Sequence, residues 1–366
     1  MNSSIFSSLE PLEQRIAPAG LVTATFADGL LTINGTDGAD HNVEIVKTGL
    51  NKFRVDGIGT DVGAAGETSK SFKGVLKTID INGGIGADTF TLTNLSALKN
   101  LSFNGDAGVD SLQTSNLKSK AGGKVEIALG SESGSINFGG DKTALRGTLD
   151  LDLGGGGTAT FASAITKVAG NVLITGGAAS DSILITGAET LLKQKLTFTA
   201  GDGSDSFNAS GTSLTVQGEV SFDGGSGTDE FLFNAKRNIF GKATAPAPVD
   251  LSLGIGTGTI NFGGDSTQII GNLSIDLGSS GGAARLNSAA TTISDAVVVE
   301  GGAGNNVLEF NGRASLASSL SYIGGAGDNT LLATGALFSV KGATSMEGGV
   351  GAAILSVNVD RVALAG

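Results

Sequence analysis

The stretch INGGIGADTFTL, residues 81–92, decides how this chain is read. Gly83, Gly84 and Gly86 interrupt an alternating apolar pattern just before Asp88, and the alternation resumes through Phe90 and Leu92. Glycine allows positive φ and close backbone approach, so the segment reads as a corner joining two short strands. The corner then returns. In NGDAGVDSL, Gly105 and Gly108 precede Asp110, which takes the place of Asp88. Further along, the same place falls on Gly134, Gly157, Asp181, Asp205, Asp229, Gly258, Gly282 or Ala283, Asn306, Asn329 and Ala353. The glycines return with it, as Gly224, Gly225 and Gly227, then Gly301, Gly302 and Gly304, then Gly324, Gly325 and Gly327. Most steps are 22 to 25 residues and one is 29. NGTDGADHNV sets Asp40 two periods ahead of Asp88. A fixed period in this range is the signature of a solenoid.

Within each period, short runs such as LTFT, DSFNA and GNVLITG alternate apolar and polar residues between glycine or asparagine corners. That predicts an all-β chain: a single right-handed parallel β-helix, or β-solenoid, of about 24 residues and three short strands per coil. Register can be tested on the apolar positions. Ile81, Phe103, Ile174, Phe198, Phe222, Val299, Tyr322 and Met346 lie seven residues before the corner position. Phe90, Leu112, Ile183, Phe207, Phe231, Leu308, Leu331 and Leu355 lie two residues after it. A generic β-sandwich would explain the strands but not columns kept in step. About fourteen coils stacked at about 4.8 Å would make a rod of roughly 65–70 Å. The longer step contains residues 234–250, with Lys236, Arg237, Lys242 and two prolines, and is expected to loop outward from one coil. The expected organisation is an N-terminal segment at 1–20 followed by a continuous solenoid at 21–366.

Composition narrows the function. The chain has 60 glycines in 366 residues, a net charge of −12 and no cysteine. An acidic balance speaks against nucleic acid as a partner, which calls for a basic face. Without cysteine there are neither disulfides nor thiolate metal sites. No apolar run reaches the length of a membrane-spanning helix, so membrane insertion is not expected. His41 is the lone histidine and reads as a surface turn residue. Asp150, Asp152 and Asp276 alternate on strands without an evident partner. No catalytic constellation emerges, and an enzyme, even a polysaccharide-active one, is not expected.

The glycine corners resemble the calcium-binding nonapeptides of repeats-in-toxin proteins. That resemblance implies calcium held between stacked turns by aspartates and carbonyls. The residues matching it are Asp88, Asp110, Asp181, Asp205 and Asp229, with Asp106 and Asp202 as additional carboxylates. Against a required metal stands the chain's own use of glycine, asparagine and alanine at the same place. A corner held by turn chemistry alone is the main expectation, with calcium as an optional cofactor.

LEPLEQRIAPA, residues 9–19, resembles the short signature near the start of large repeat-rich surface proteins of Planctomycetes and Verrucomicrobia. The resemblance implies an exported protein at the cell surface and carries over no catalytic residue. Leu9, Leu12 and Ile16 also have the spacing of a helical cap for an open core. The apolar C-terminal ILSVNVDRVALAG carries no polar cap, which suits end-to-end, head-to-tail self-association. The expected function is an extracellular structural rod or filament. An adhesive module for glycans or other surface proteins is the alternative.

Overall fold

In the computed structural model, which describes residues 20–36 and 38–364, the chain is a three-sided β-solenoid of about 12 turns. Its three sides are sheets of 15, 16 and 10 strands, parallel throughout the coils; the first two run from the N-terminal end and the third begins at Lys142–Leu145. A coil visits them in order. Leu196–Thr199 lies on the first side, Ser206–Ala209 on the second and Ser213–Val216 on the third, before Val220–Asp223 reopens the first. Alternation decides which side chains enter, since successive residues of a strand face opposite sides. Both columns read from the sequence are continuous. Ile81 pairs with Phe103, Ile174 with Phe198, Phe198 with Phe222, and Tyr322 with Met346. Phe90 pairs with Leu112, Ile183 with Phe207, Phe207 with Phe231, Leu308 with Leu331, and Leu331 with Leu355. Val299 stands directly above Tyr322 in the same ladder. Most of these side chains are fully buried; Met346 and Leu355, in the last coil, are not.

The N-terminal end departs from the expected coils. Six strands, β1 Gly20–Ala27, β2 Leu30–Gly35, β3 Asn42–Gly49, β4 Lys52–Gly57, β5 Thr60–Val62 and β6 Ser69–Lys73, build a cap instead. β1 pairs antiparallel with β2, and β4 pairs antiparallel with both β3 and β6. Only β2 and β3 continue as parallel neighbours of the first full coil. Asp28 and Gly29 both have positive φ, the requirement of a two-residue hairpin turn that keeps the strands' twist. Phe53 lies 4.9 Å from Phe26 and 5.3 Å from Phe72, and this cluster seals the core under the cap. The cap takes the place of expected coils, so the rod is shorter than the roughly fourteen coils read from the period.

The outward loop is narrower than 234–250. Arg237–Phe240 is a regular strand of the third side and Asn238 is fully buried; the exposed excursion begins at Lys242 and ends before Val249. The expected N-terminal segment at 1–20 lies outside the described residues except for Gly20, which opens β1. Asparagine side chains link successive coils near the corner between the second and third sides. Asn261 donates to Asn234 at 2.7 Å, Asn287 to Asn261 at 3.0 Å and Asn311 to Asn287 at 2.9 Å.

Candidate functional site

The corner residues form one column between the first and second sides, with its aspartates and asparagines buried and Ala353, in the last coil, exposed. Strand register places Asp88, Asp110, Gly134, Gly157, Asp181, Asp205, Asp229, Gly258, Gly282, Asn306, Asn329 and Ala353 one above another. Gly282, not Ala283, holds its level. At the top the place of Asp40 is taken by His41, because Asn42 pairs with Thr89. His41 is therefore not a surface turn residue. It is buried, with Nδ1 2.7 Å from Asp88 Oδ1.

Each aspartate holds the coil before it. Asp88 Oδ1 accepts the His41 N–H at 2.8 Å, Asp110 Oδ1 the Asp88 N–H at 2.9 Å, and Asp229 Oδ1 the Asp205 N–H at 3.0 Å. Asp181 and Asp205 repeat the bond to Gly157 and Asp181. The second oxygen is treated differently. Oδ2 of Asp88, Asp110, Asp205 and Asp229 is buried and reaches no donor, while Asp181 Oδ2 accepts the Gly177 N–H at 2.9 Å. Burial pushes the carboxyls of Asp110 and Asp205 up to about 6 and raises those of Asp88, Asp181 and Asp229.

At most aspartate and asparagine levels the glycine five residues before the column makes room for the side chain, while at Asp205 that place is held by Ala200. A β-carbon on Gly83 would stand 2.5 Å from Asp88 Oδ2 and 3.0 Å from the Gly105 carbonyl oxygen. On Gly301 it would stand 2.5 Å from Asn306 Nδ2 and 2.6 Å from the Gly324 carbonyl oxygen. Gly105, Gly224 and Gly324 sit in the same relation to Asp110, Asp229 and Asn329. The other corner glycines turn the chain. Gly84, Gly86, Gly108, Gly225, Gly227 and Gly325 have positive φ, whereas Gly302, Gly304 and Gly327 lie against backbone of the preceding coil.

Calcium takes six to eight oxygens. Here each aspartate commits Oδ1 to a backbone N–H, and Oδ2 of Asp88, Asp110 and Asp229 lies close to where a β-carbon on Gly83, Gly105 or Gly224 would stand. Asp106 and Asp202 are exposed, apart from the buried column, with Asp202 accepting from Ser226. Among the described residues no three His, Cys, Asp or Glu side chains converge as a metal set.

A second feature has no signal in the sequence. Along the outer face of the third side, at its first strands, two adjoining grooves are bordered by Lys118, Lys120, Lys142, Arg146, Lys167 and Lys193. They meet a third hollow under the β3–β4 turn, which adds Lys47 and Lys52. Comparison with protein-family models, curated proteins and solved structures returns no match for this chain.

Proposed function

We propose that this chain is an extracellular structural rod that joins a second copy end to end through its C-terminal coil. The observation that carries this reading is the state of the inward columns at that end. Leu355, Val357, Val362 and Leu364 are 59, 42, 49 and 54 % exposed, whereas Leu331, Ala333, Phe338 and Val340, directly above them, are buried. Among the described residues, strands Thr344–Glu347, Ala353–Val359 and Val362–Leu364 leave all three sheets with an unpaired edge. Such an edge is a template for further strands. The opposite end is closed by the antiparallel cap, whose outer strand β6 bears Lys70 and Lys73, a usual protection of an edge. The two ends are unequal, and the C-terminal face is the one that gains by being covered. Placement outside the cell is supported by the resemblance of residues 9–19 to surface-protein signatures.

Negative-stain microscopy and sedimentation velocity test the reading. Purified protein should give particles longer than one rod, and Leu355→Asp with Val362→Asp should return single rods. Wild-type protein that remains single rods at high concentration overturns it. Surface proteolysis of intact cells checks the location, with protection of the chain counting against it.

A further inference from the structure

The cation-lined groove sits on an acidic protein. The chain's net charge is −12, yet three contiguous hollows of about 240, 660 and 430 Å³ are lined by eight lysines and arginines and by no aspartate or glutamate. The hollows are continuous: the first two share Ser96 and Ala97, and the last two share Ala121, Lys142, Ala144 and Arg146. Among the described residues, only Lys167 of this row has an ion-pair partner, Glu189 at 2.9 Å. Two lysines outside the groove do have carboxylate partners: Lys124 pairs with Glu126 and Lys195 with Glu219. Unneutralised like charges side by side repel one another, so a row of them raises the energy of the free protein and favours a counter-charge.

The coiling explains the arrangement. The third sheet begins only at Lys142–Leu145. Before it the chain passes this side at Ser96–Ala97, outside any strand, and at Lys118–Ala121, where Lys118 bridges Ala144 and the strand Ser119–Ala128 opens with a register shift between Ser119 and Lys124. The floor is made of Ala97, Ala121, Ala144 and Ala169, which are too small to fill the step. Lys118 lies beside Ala144, Lys167 is in register with Ala144, and Lys193 follows Leu192 beneath Val168. The cations from Lys118 to Lys193 thus span four successive coils, roughly 14 Å at about 4.8 Å per coil. The row follows the rod axis.

We infer that this groove binds a linear anionic polysaccharide, with its carboxylate or sulfate groups on the lysine and arginine rims and its uncharged ring faces over the alanine floor. A single small anion would not use four coils of cations. Single-stranded nucleic acid gains much of its affinity from base stacking on aromatic side chains. Phe53, at the far end, is the one aromatic residue lining the three hollows, and it is buried. The inference is independent of the end-to-end reading, since the groove lies on the side of the rod.

Fluorescence-detected binding of polygalacturonate tests it, with neutral dextran and oligothymidylate as comparison polymers. Wild-type protein should bind polygalacturonate with an affinity that falls as salt rises, and should not bind dextran. Lys142→Glu with Arg146→Glu should weaken binding by about tenfold or more, while Arg237→Glu with Lys242→Glu, away from the groove, should leave it unchanged. All four residues are exposed, and circular dichroism verifies the fold. Equal losses in the two double variants would reduce the effect to overall charge and overturn the inference. So would retained binding in Lys142→Glu/Arg146→Glu. Oligothymidylate binding as tight as polygalacturonate would make the ligand a nucleic acid instead. A change in the sedimentation of the protein alone on reversing Lys142 and Arg146 would assign the groove to a second copy of the chain.

Discussion

At the scale of single residues, aspartate and asparagine share the column because both do the work of an amide there. Asn306 Nδ2 donates to Gly304 O at 2.7 Å, Gly324 O at 2.6 Å and Asn329 Oδ1 at 2.9 Å. Asp88 Oδ2 occupies the corresponding place beside the Gly105 carbonyl, where an ionised oxygen has nothing to accept and a protonated one can donate. The groups facing these carboxyls do not neutralise them. Asp110 looks toward Asp88 and Asp106, and Asp205 toward Asp181, Asp229 and Asp202. Only Asp88 has a cationic candidate nearby, in His41. The folded-state values are raised above 3.8, so the folded protein binds more protons than the unfolded chain between about pH 4 and 6. The stability these carboxyls contribute is therefore present at low pH and is lost as pH rises through about 6. A tenfold gain in proton affinity on folding is worth about 1.4 kcal/mol, so Asp110 and Asp205 together weigh several kcal/mol. Melting temperature should fall between pH 5 and 7.5, and Asp110→Asn with Asp205→Asn should flatten that fall and raise the value at pH 7.5. Calcium should not restore it. A calcium-induced rise at pH 7.5 would show that the unpartnered oxygens take a cation rather than a proton.

At the scale of elements, the corners and the cap obey different rules, and the sequence reveals them unequally. The corner is legible because glycine and the column residue recur at one spacing. Gly105 illustrates the constraint: an added β-carbon would meet Asp110 Oδ2 and, at 2.6 Å, the Leu129 carbonyl. Gly105→Ala should cost about 1–3 kcal/mol by overpacking. Gly139→Ala, where the nearest atom would be 3.4 Å away, should cost clearly less in the same urea titration. The cap reads as coils because NGTDGADHNV imitates the corner. It has one more residue between Gly35 and His41 than lies between Gly83 and Asp88, and this moves the column from Asp40 to His41. Asp28-Gly29 between alternating apolar runs is the sign of a hairpin that the sequence does carry. Phe53→Ala, in the cluster that closes the core, should destabilise by about 3–5 kcal/mol. Loss of protection from hydrogen exchange in β1 to β6 ahead of the coils would locate that effect.

At the scale of the whole molecule, the solenoid follows from periodicity, while the groove does not. Its cations are spread from Lys47 to Lys193, and no spacing in the sequence marks them as neighbours. Coiling alone brings them to one side. The exposed coil is partly legible, since ILSVNVDRVALAG is apolar, but only the register shows that Leu355 and Val362 continue inward columns while being exposed. The same stacking governs how the rod bears force. Hydrogen bonds between coils run along the rod axis on all three sides. A straight pull on the two ends therefore loads three rows of bonds together, and they resist in concert. A pull that lifts the last coil by its C-terminus loads one strand at a time, beginning with Val362–Leu364, which has three paired residues. The rod is strong in tension and unzips under peel, and covering its last coil is what would turn the second kind of load into the first.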